Sequence, residues 1–174
     1  WADVTGSTPF IFAKAGAQFW TVTTTNQLLA PVWTVNSNTA LTLGNASICI
    51  IRDITVNGTL AVTNGSTLVI KGSTIPISGN AGSITVANGS GFGGNGAIGA
   101  RVTLLAGAFA TNTIGFDSNG VPNTALTCTN TLALNGNTFK VDTGTNVLGG
   151  GDYLLITNIG STITGSFATV PVIS

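Results

Sequence analysis

The sequence predicts an all-β chain wound as a parallel β-helix or related solenoid, with an aromatic cap region at its N-terminus. A β-sandwich or jelly roll completed by a donated strand is the alternative. Three observations carry the fold class. Helix formers are scarce: the chain has no Met, and its five acids are all Asp, while Thr, Val and Ile, which suit pleated surfaces, dominate. Apolar and polar residues alternate over short runs, as in "ITVNGTLAVTNGSTLVIKGST" from Ile54 to Thr74, the period of a half-buried strand. The runs are similar in length and end at Asn-Gly or Lys-Gly, where one residue accepts positive φ and turns the chain.

Residues 1–38 form the aromatic segment, with Trp1, Phe10, Phe12, Phe19, Trp20 and Trp33 beside Pro9 and Pro31. "FWTVTTT" and "PVWTVNS" read as strands, and "FAKAGAQF" is the one stretch with helical character. So many large side chains at one end suit a cap over a stack or a surface that docks on another subunit.

Residues 39–174 form the body. Turn signals fall at Gly44-Asn45, Asn57-Gly58, Asn64-Gly65, Lys71-Gly72, Gly79-Asn80 and Asn88-Gly89, with short strands between. Asn-Gly fits a hairpin as well as the corner of a coil. Similar strand lengths and recurring small polar residues favour the coil, although no strict repeat length holds. "GSGFGGNGAIGA", Gly89 to Ala100, reads as a flexible loop or a surface of close approach. Gly91, Gly93 and Gly96 spell GxGxxG, but no helix pattern follows, so a nucleotide loop is excluded. "RVTLLAGAFA" reads as a buried strand and "TNTIGFDSNGVPNT" as a surface loop. There Asp117 and Asn119 have calcium-loop spacing, without the further acids that would complete a site.

Cys49 and Cys128 fit either one disulfide of an exported protein or two separate buried thiols. Asn45, Asn57, Asn64 and Asn88 open Asn-X-Ser/Thr sequons and are candidates for glycosylation.

From Thr131 the text runs "TLALNGNTFKVDTGTNVLGGGDYLLITNIGSTITGSFATV". "LALNGNTFKVD", Gly151-Asp152-Tyr153 leading into an apolar strand, and Thr164-Gly165-Ser166-Phe167 resemble the terminal part of bacterial proteins with autotransporter-associated β-strand repeats. The resemblance is close over about a quarter of the chain. It implies an exported parallel β-solenoid used as a surface structure, and it brings no catalytic residues. Within it, "DYLLITNI" reads as a continuous apolar strand.

The totals exclude much. Charged residues are 6% of the chain against about 25% in typical soluble domains, and five Lys+Arg balance five Asp+Glu. Nucleic acid, which requires clustered cations, is not a partner. No apolar run is long enough for a membrane helix. With His absent, a triad has no ordinary base and zinc has no ordinary ligand set. Asp3, Asp53, Asp142 and Asp152 sit at turn-like positions that suit backbone capping, and Arg52 beside Asp53 reads as a local ion pair at a turn. No cofactor, metal site or enzymatic activity is expected.

The first residue is Trp1, which suggests a mature chain whose leader was removed and places it outside the cell or on its surface. With few charges to guard strand edges, the expected function is a non-enzymatic structural subunit that assembles head to tail into an extracellular filament or surface layer. Its partners are then copies of itself. Trp1, Val4, Phe10, Phe12, Phe167 and Val170 are the candidate subunit contacts, and Val4 to Phe12 is the strand donated in the sandwich alternative. The second reading is a secreted adhesin or carbohydrate-binding module, with Trp1, Trp20 and Trp33 stacked on surface glycans.

Overall fold

The structure, a computed structural model, describes residues 10–12, 18–22, 27–37, 39–44, 48–70, 82–113, 125–143, 150, 152–159, 162–168 and 172–173. The first strands are β1 (Phe10–Phe12), β2 (Gln18–Val22), β3 (Gln27–Val35), β4 (Thr39–Leu43), β5 (Ile48–Val56), β6 (Thr59–Val62), β7 (Thr67–Ile70), β8 (Ser83–Val86) and β9 (Gly91–Gly94). They are followed by β10 (Ala97–Ile98), β11 (Arg101–Leu104), β12 (Phe109–Thr113), β13 (Leu126–Cys128), β14 (Leu132–Ala133), β15 (Thr138–Asp142), β16 (Ile156–Asn158), β17 (Ile163–Thr164) and β18 (Val172–Ile173). The fold is all-β.

The strands are dealt into three sheets in rotation. An 8-stranded sheet has the order β1-β3-β5-β7-β9-β12-β15-β18, and a 7-stranded sheet has the order β17-β14-β11-β8-β6-β4-β2. A 3-stranded sheet, β10-β13-β16, takes the intervening strands of the later part of the chain. Every ladder between these strands is parallel. The sandwich alternative is thereby corrected, because sandwiches and jelly rolls are built from antiparallel pairs. Phe10–Phe12 also pairs within its own chain, with Trp33–Val35, so that part of the supposed donor strand stays at home.

Register turns the alternating pattern into ladders of like residues. On the 7-stranded sheet Leu41 pairs with Leu60, Leu60 with Ile84, Ile84 with Val102 and Val102 with Leu132. On the 8-stranded sheet Leu68, Phe92, Ala110 and Phe139 follow one another. These side chains are buried and belong to one core that also takes Ile98, Leu126 and Cys128 from the 3-stranded sheet. A one-residue slip would turn any rung's apolar set to solvent, so burial fixes the register. No helix covers the outer faces among the described residues. That is why these parallel strands alternate instead of running continuously apolar, as they do in helix-covered sheets.

Two kinds of corner join the sheets. Thr63–Ser66, Ala87–Ser90, Leu105–Ala108 and Leu134–Asn137 lead from the 7-stranded to the 8-stranded sheet, and all are the same length. The first three close with a backbone bond, Ser66 N to Thr63 O, Ser90 N to Ala87 O and Ala108 N to Leu105 O, each 3.0 Å. In the first, Asn64 (φ 52) and Gly65 (φ 76) are both left-handed, as a type I′ turn requires. The fourth is held by Asn137, buried, whose Nδ2 donates to Leu105 O at 2.8 Å and Ala108 O at 3.0 Å. The corner that follows the 8-stranded sheet varies instead. It is tight at Asn95-Gly96 but long between β12 and β13 and between β15 and β16. This variation hid the repeat in the sequence.

Four expectations are corrected in whole or part. Of the two readings of the glycine run, the loop fails over Gly91–Gly94, which is β9, paired on both sides, and the close approach holds there. "RVTLLAGAFA" is two strands, β11 and β12, separated by a corner at Gly107. "DYLLITNI" is strand only over Ile156–Asn158, and Leu154 is exposed. Arg52 and Asp53 lie within β5 and not at a turn. The described strands of the aromatic segment, β1 to β3, join the same two large sheets as the body.

Candidate functional site: the C-terminal edge of the sheets

The last strand of each sheet in sequence is also its edge. Among the described residues, β16, β17 and β18 each pair on one side only, with β13, β14 and β15. On that inner side the bonds are made: Leu132 N donates to Thr162 O (3.2 Å), Leu134 N to Thr164 O (2.9 Å) and Ile159 N to Cys128 O (2.9 Å). The outer side presents the complementary row of backbone groups.

The apolar ladders run out to this edge. Leu132, buried, pairs with Ile163, which is 43% exposed, and Val141, buried, pairs with Ile173, which is 63% exposed. Leu154, Ile159 and Val172 are exposed beside them. Beneath the edge lies a cleft of about 430 Å³ lined by Leu134, Phe139, Leu155, Ile156, Ile163 and Phe167. Phe167 sits edge-on to Phe139, with ring centres 5.1 Å apart and planes at 83°, a favoured aromatic geometry. Charge is nearly absent: beyond Asp142 the sequence carries only Asp152. Pro171, next to β18, is the one edge-blunting residue in the sequence there.

Of the predicted contacts, Phe167 lies at this edge, and Phe10 and Phe12 lie in β1, the opposite edge of the 8-stranded sheet. Trp1, Val4 and Val170 are outside the described residues, as are Asp117 and Asn119 of the loop. Sequence reasoning missed Ile163, Val172 and Ile173. Their signal was present, since "TIT" and "VPVI" continue the alternation to the end of the chain, but alternation alone does not distinguish an edge from an interior rung.

Cys128 is a free, buried thiol, so the bridge to Cys49 is not formed. Cys128 packs in β13 between Ile98 and Asn158, whereas Cys49 belongs to β5 of the 8-stranded sheet, paired with Leu28 and Leu68. Burial pushes the Cys128 thiol from 9.0 up to about 12, which makes Cys128 a core residue rather than a nucleophile. The sequon residues Asn64 and Asn88 are exposed at turn tips, Asn57 is half-buried at a corner, and Asn45 lies outside the described residues. Asp142 and Asp152 are exposed. Among the described residues no three His, Cys, Asp or Glu come together as metal ligands, and no helix is long and apolar enough to cross a membrane.

On the outer face, Gly91 and Gly93 leave room that neighbours fill. A side chain at Gly91 would meet the Phe109 ring at 2.4 Å, and one at Gly93 would meet Thr111 O at 1.6 Å. Lys140 Nζ sits 3.6 Å from the centre of the Phe109 ring, a cation–π contact. Lys140 and Phe109 are therefore spent on each other. Set beside protein-family models, curated proteins and solved structures, the chain matches none of them.

Proposed function

We propose that the chain winds as a β-solenoid and serves as a non-enzymatic structural subunit, assembling head to tail into an extracellular filament or surface layer. The observation that carries this reading is the charge-poor, apolar C-terminal edge. Within each sheet every ladder is parallel, and the last strand in sequence is that sheet's edge. A stack of this kind has complementary first and last rungs. The outer edge of β1 and β2 in a second copy has the polarity needed to pair with β18 and β17, and the exposed Ile163 and Ile173 continue the buried ladders into the joint. Such a contact is heterologous and does not close on itself, so it propagates. Edge strands of soluble proteins are ordinarily blocked with charge, and this one is not. The resemblance of the C-terminal third to bacterial surface repeats agrees with an exported location.

Electron microscopy and sedimentation of the purified chain across a concentration series test the reading. Uniform fibres of one width, with growth that depends on concentration, are expected. A monodisperse monomer at every concentration overturns assembly. Antiparallel strand pairing in an experimental structure overturns the winding.

A further inference from the structure

The corners of this chain are rich in Asn-Gly, the dipeptide most prone to spontaneous loss of side-chain ammonia. In that reaction the glycine amide nitrogen gives up its proton to water or hydroxide and attacks Cγ of the preceding asparagine. The N–Cγ bond forms, the Cγ–Nδ2 bond breaks, ammonia leaves, and a succinimide remains. Water then opens the ring to aspartate or isoaspartate. The nucleophile is the glycine N–H, so a hydrogen bond that holds it opposes the first step.

In this structure each described Asn-Gly corner has that N–H held by the chain one rung away. Gly58 N donates to Val35 O (3.2 Å), Gly89 N to Gly107 O (3.0 Å), Gly96 N to Ile70 O (2.9 Å) and Gly136 N to Ser166 O (2.9 Å). Gly65 alone among them gives its proton to a side chain, Ser90 Oγ, at 3.2 Å. Asn64 is exposed and left-handed, with φ 52. Asn135, by contrast, has its own amide tied down, its Nδ2 donating to Leu104 O at 2.6 Å.

We propose that, among the described Asn-Gly corners, Asn64 is the one that deamidates fastest in the folded chain, and that Ser90 on the neighbouring rung sets its rate. Local sequence does not make the difference. Thr63-Asn64-Gly65-Ser66 and Ala87-Asn88-Gly89-Ser90 are nearly the same tetrapeptide, but a backbone carbonyl holds one and a rotatable hydroxyl the other. The product matters to the fold. It places a carboxylate on an uncharged corner, and as isoaspartate it lengthens the main chain by one methylene, displacing Gly65 from its partner.

Timed peptide mapping of the intact chain at neutral pH reads the rates at Asn57, Asn64, Asn88, Asn95 and Asn135. Asn64 converts fastest in the folded protein, by about tenfold over Asn88 and Asn135, the scale of one hydrogen bond. In concentrated urea the five rates converge. Ser90→Ala quickens conversion at Asn64, and Ser90→Thr restores it. Amide hydrogen exchange on the unaltered chain gives a reading that requires no variant, with Gly65 exchanging faster than Gly89, Gly96 and Gly136. Equal folded-state rates at Asn64 and Asn88, persistence of the Asn64 preference in urea, or slow exchange at Gly65 each overturn the proposal.

Discussion

Single residues decide how closely the rungs approach. Gly93 faces Thr111 of the next strand, and a methyl group there would lie 1.6 Å from its carbonyl oxygen. The nearest atoms are all Thr111 backbone, which has nothing flexible to yield. Gly93→Ala is expected to cost about 3 kcal/mol or more. Gly136→Ala, which has open space but a φ of +65, should cost only the left-handed penalty of about 1–2 kcal/mol. Urea melts of the two variants check the order; equal losses would show that β9 does not lie where it is described. Cys128 makes a second residue-scale case. Its folded-state value is raised, so the unfolded chain ionises first as pH rises. The stability gained by keeping the thiol neutral is complete below 9.0 and is lost progressively toward about 12, at roughly 1.4 kcal/mol per pH unit. Cys128→Val should flatten that alkaline decline in denaturant midpoints measured against pH.

At the scale of the element, the strands were legible and their partners were not. Alternation in "ITVNGTLAV" marked β5 and β6, and in β6 it reflects burial, with Leu60 and Val62 in the core and Thr59 exposed. The same alternation and the same Asn-Gly describe a hairpin, since a type I′ turn serves both connections; only pairing to the strand two places on separates them. β9 was illegible for a different reason. Its side-chain volume is supplied by Phe109 from the next strand, so four residues containing three glycines make a strand only in company. The site was half legible: Phe167 was named from its place in a repeat-like motif, whereas Ile163 and Ile173 look like any other inward-facing position until their rung proves to be last. The edge elements carry their own prediction. Ile163→Lys or Ile173→Lys places a charge on β17 or β18, where the side chain is already exposed. Melting temperature should change little, because exposed positions contribute within about 0.5 kcal/mol, while fibre formation followed by light scattering should be lost. Unaltered assembly of both variants would remove this edge from the joint.

On the scale of the whole molecule, the proposed winding has each rung rest only on its neighbours, and stability is then a sum of rung and interface terms. The middle rungs are covered on both sides and the last is covered on one. Ile84→Ala, at the centre of the aliphatic ladder and fully buried, should cost about 2–5 kcal/mol, and Ile163→Ala should cost less than about 1 kcal/mol because little is buried there. Hydrogen exchange should grade the same way, slowest across β6, β8 and β11 and fastest across β16 to β18; uniform protection would mean the stack melts as one block. The two kinds of corner have a practical consequence. From β6 to β15 one corner keeps its length of four residues, while the other swells and shrinks without altering the pairing on either side of it. Foreign peptide spliced between β12 and β13 would therefore leave the ladders in register, so this side of the molecule is a natural rail for displaying grafted epitopes at the spacing of the rungs.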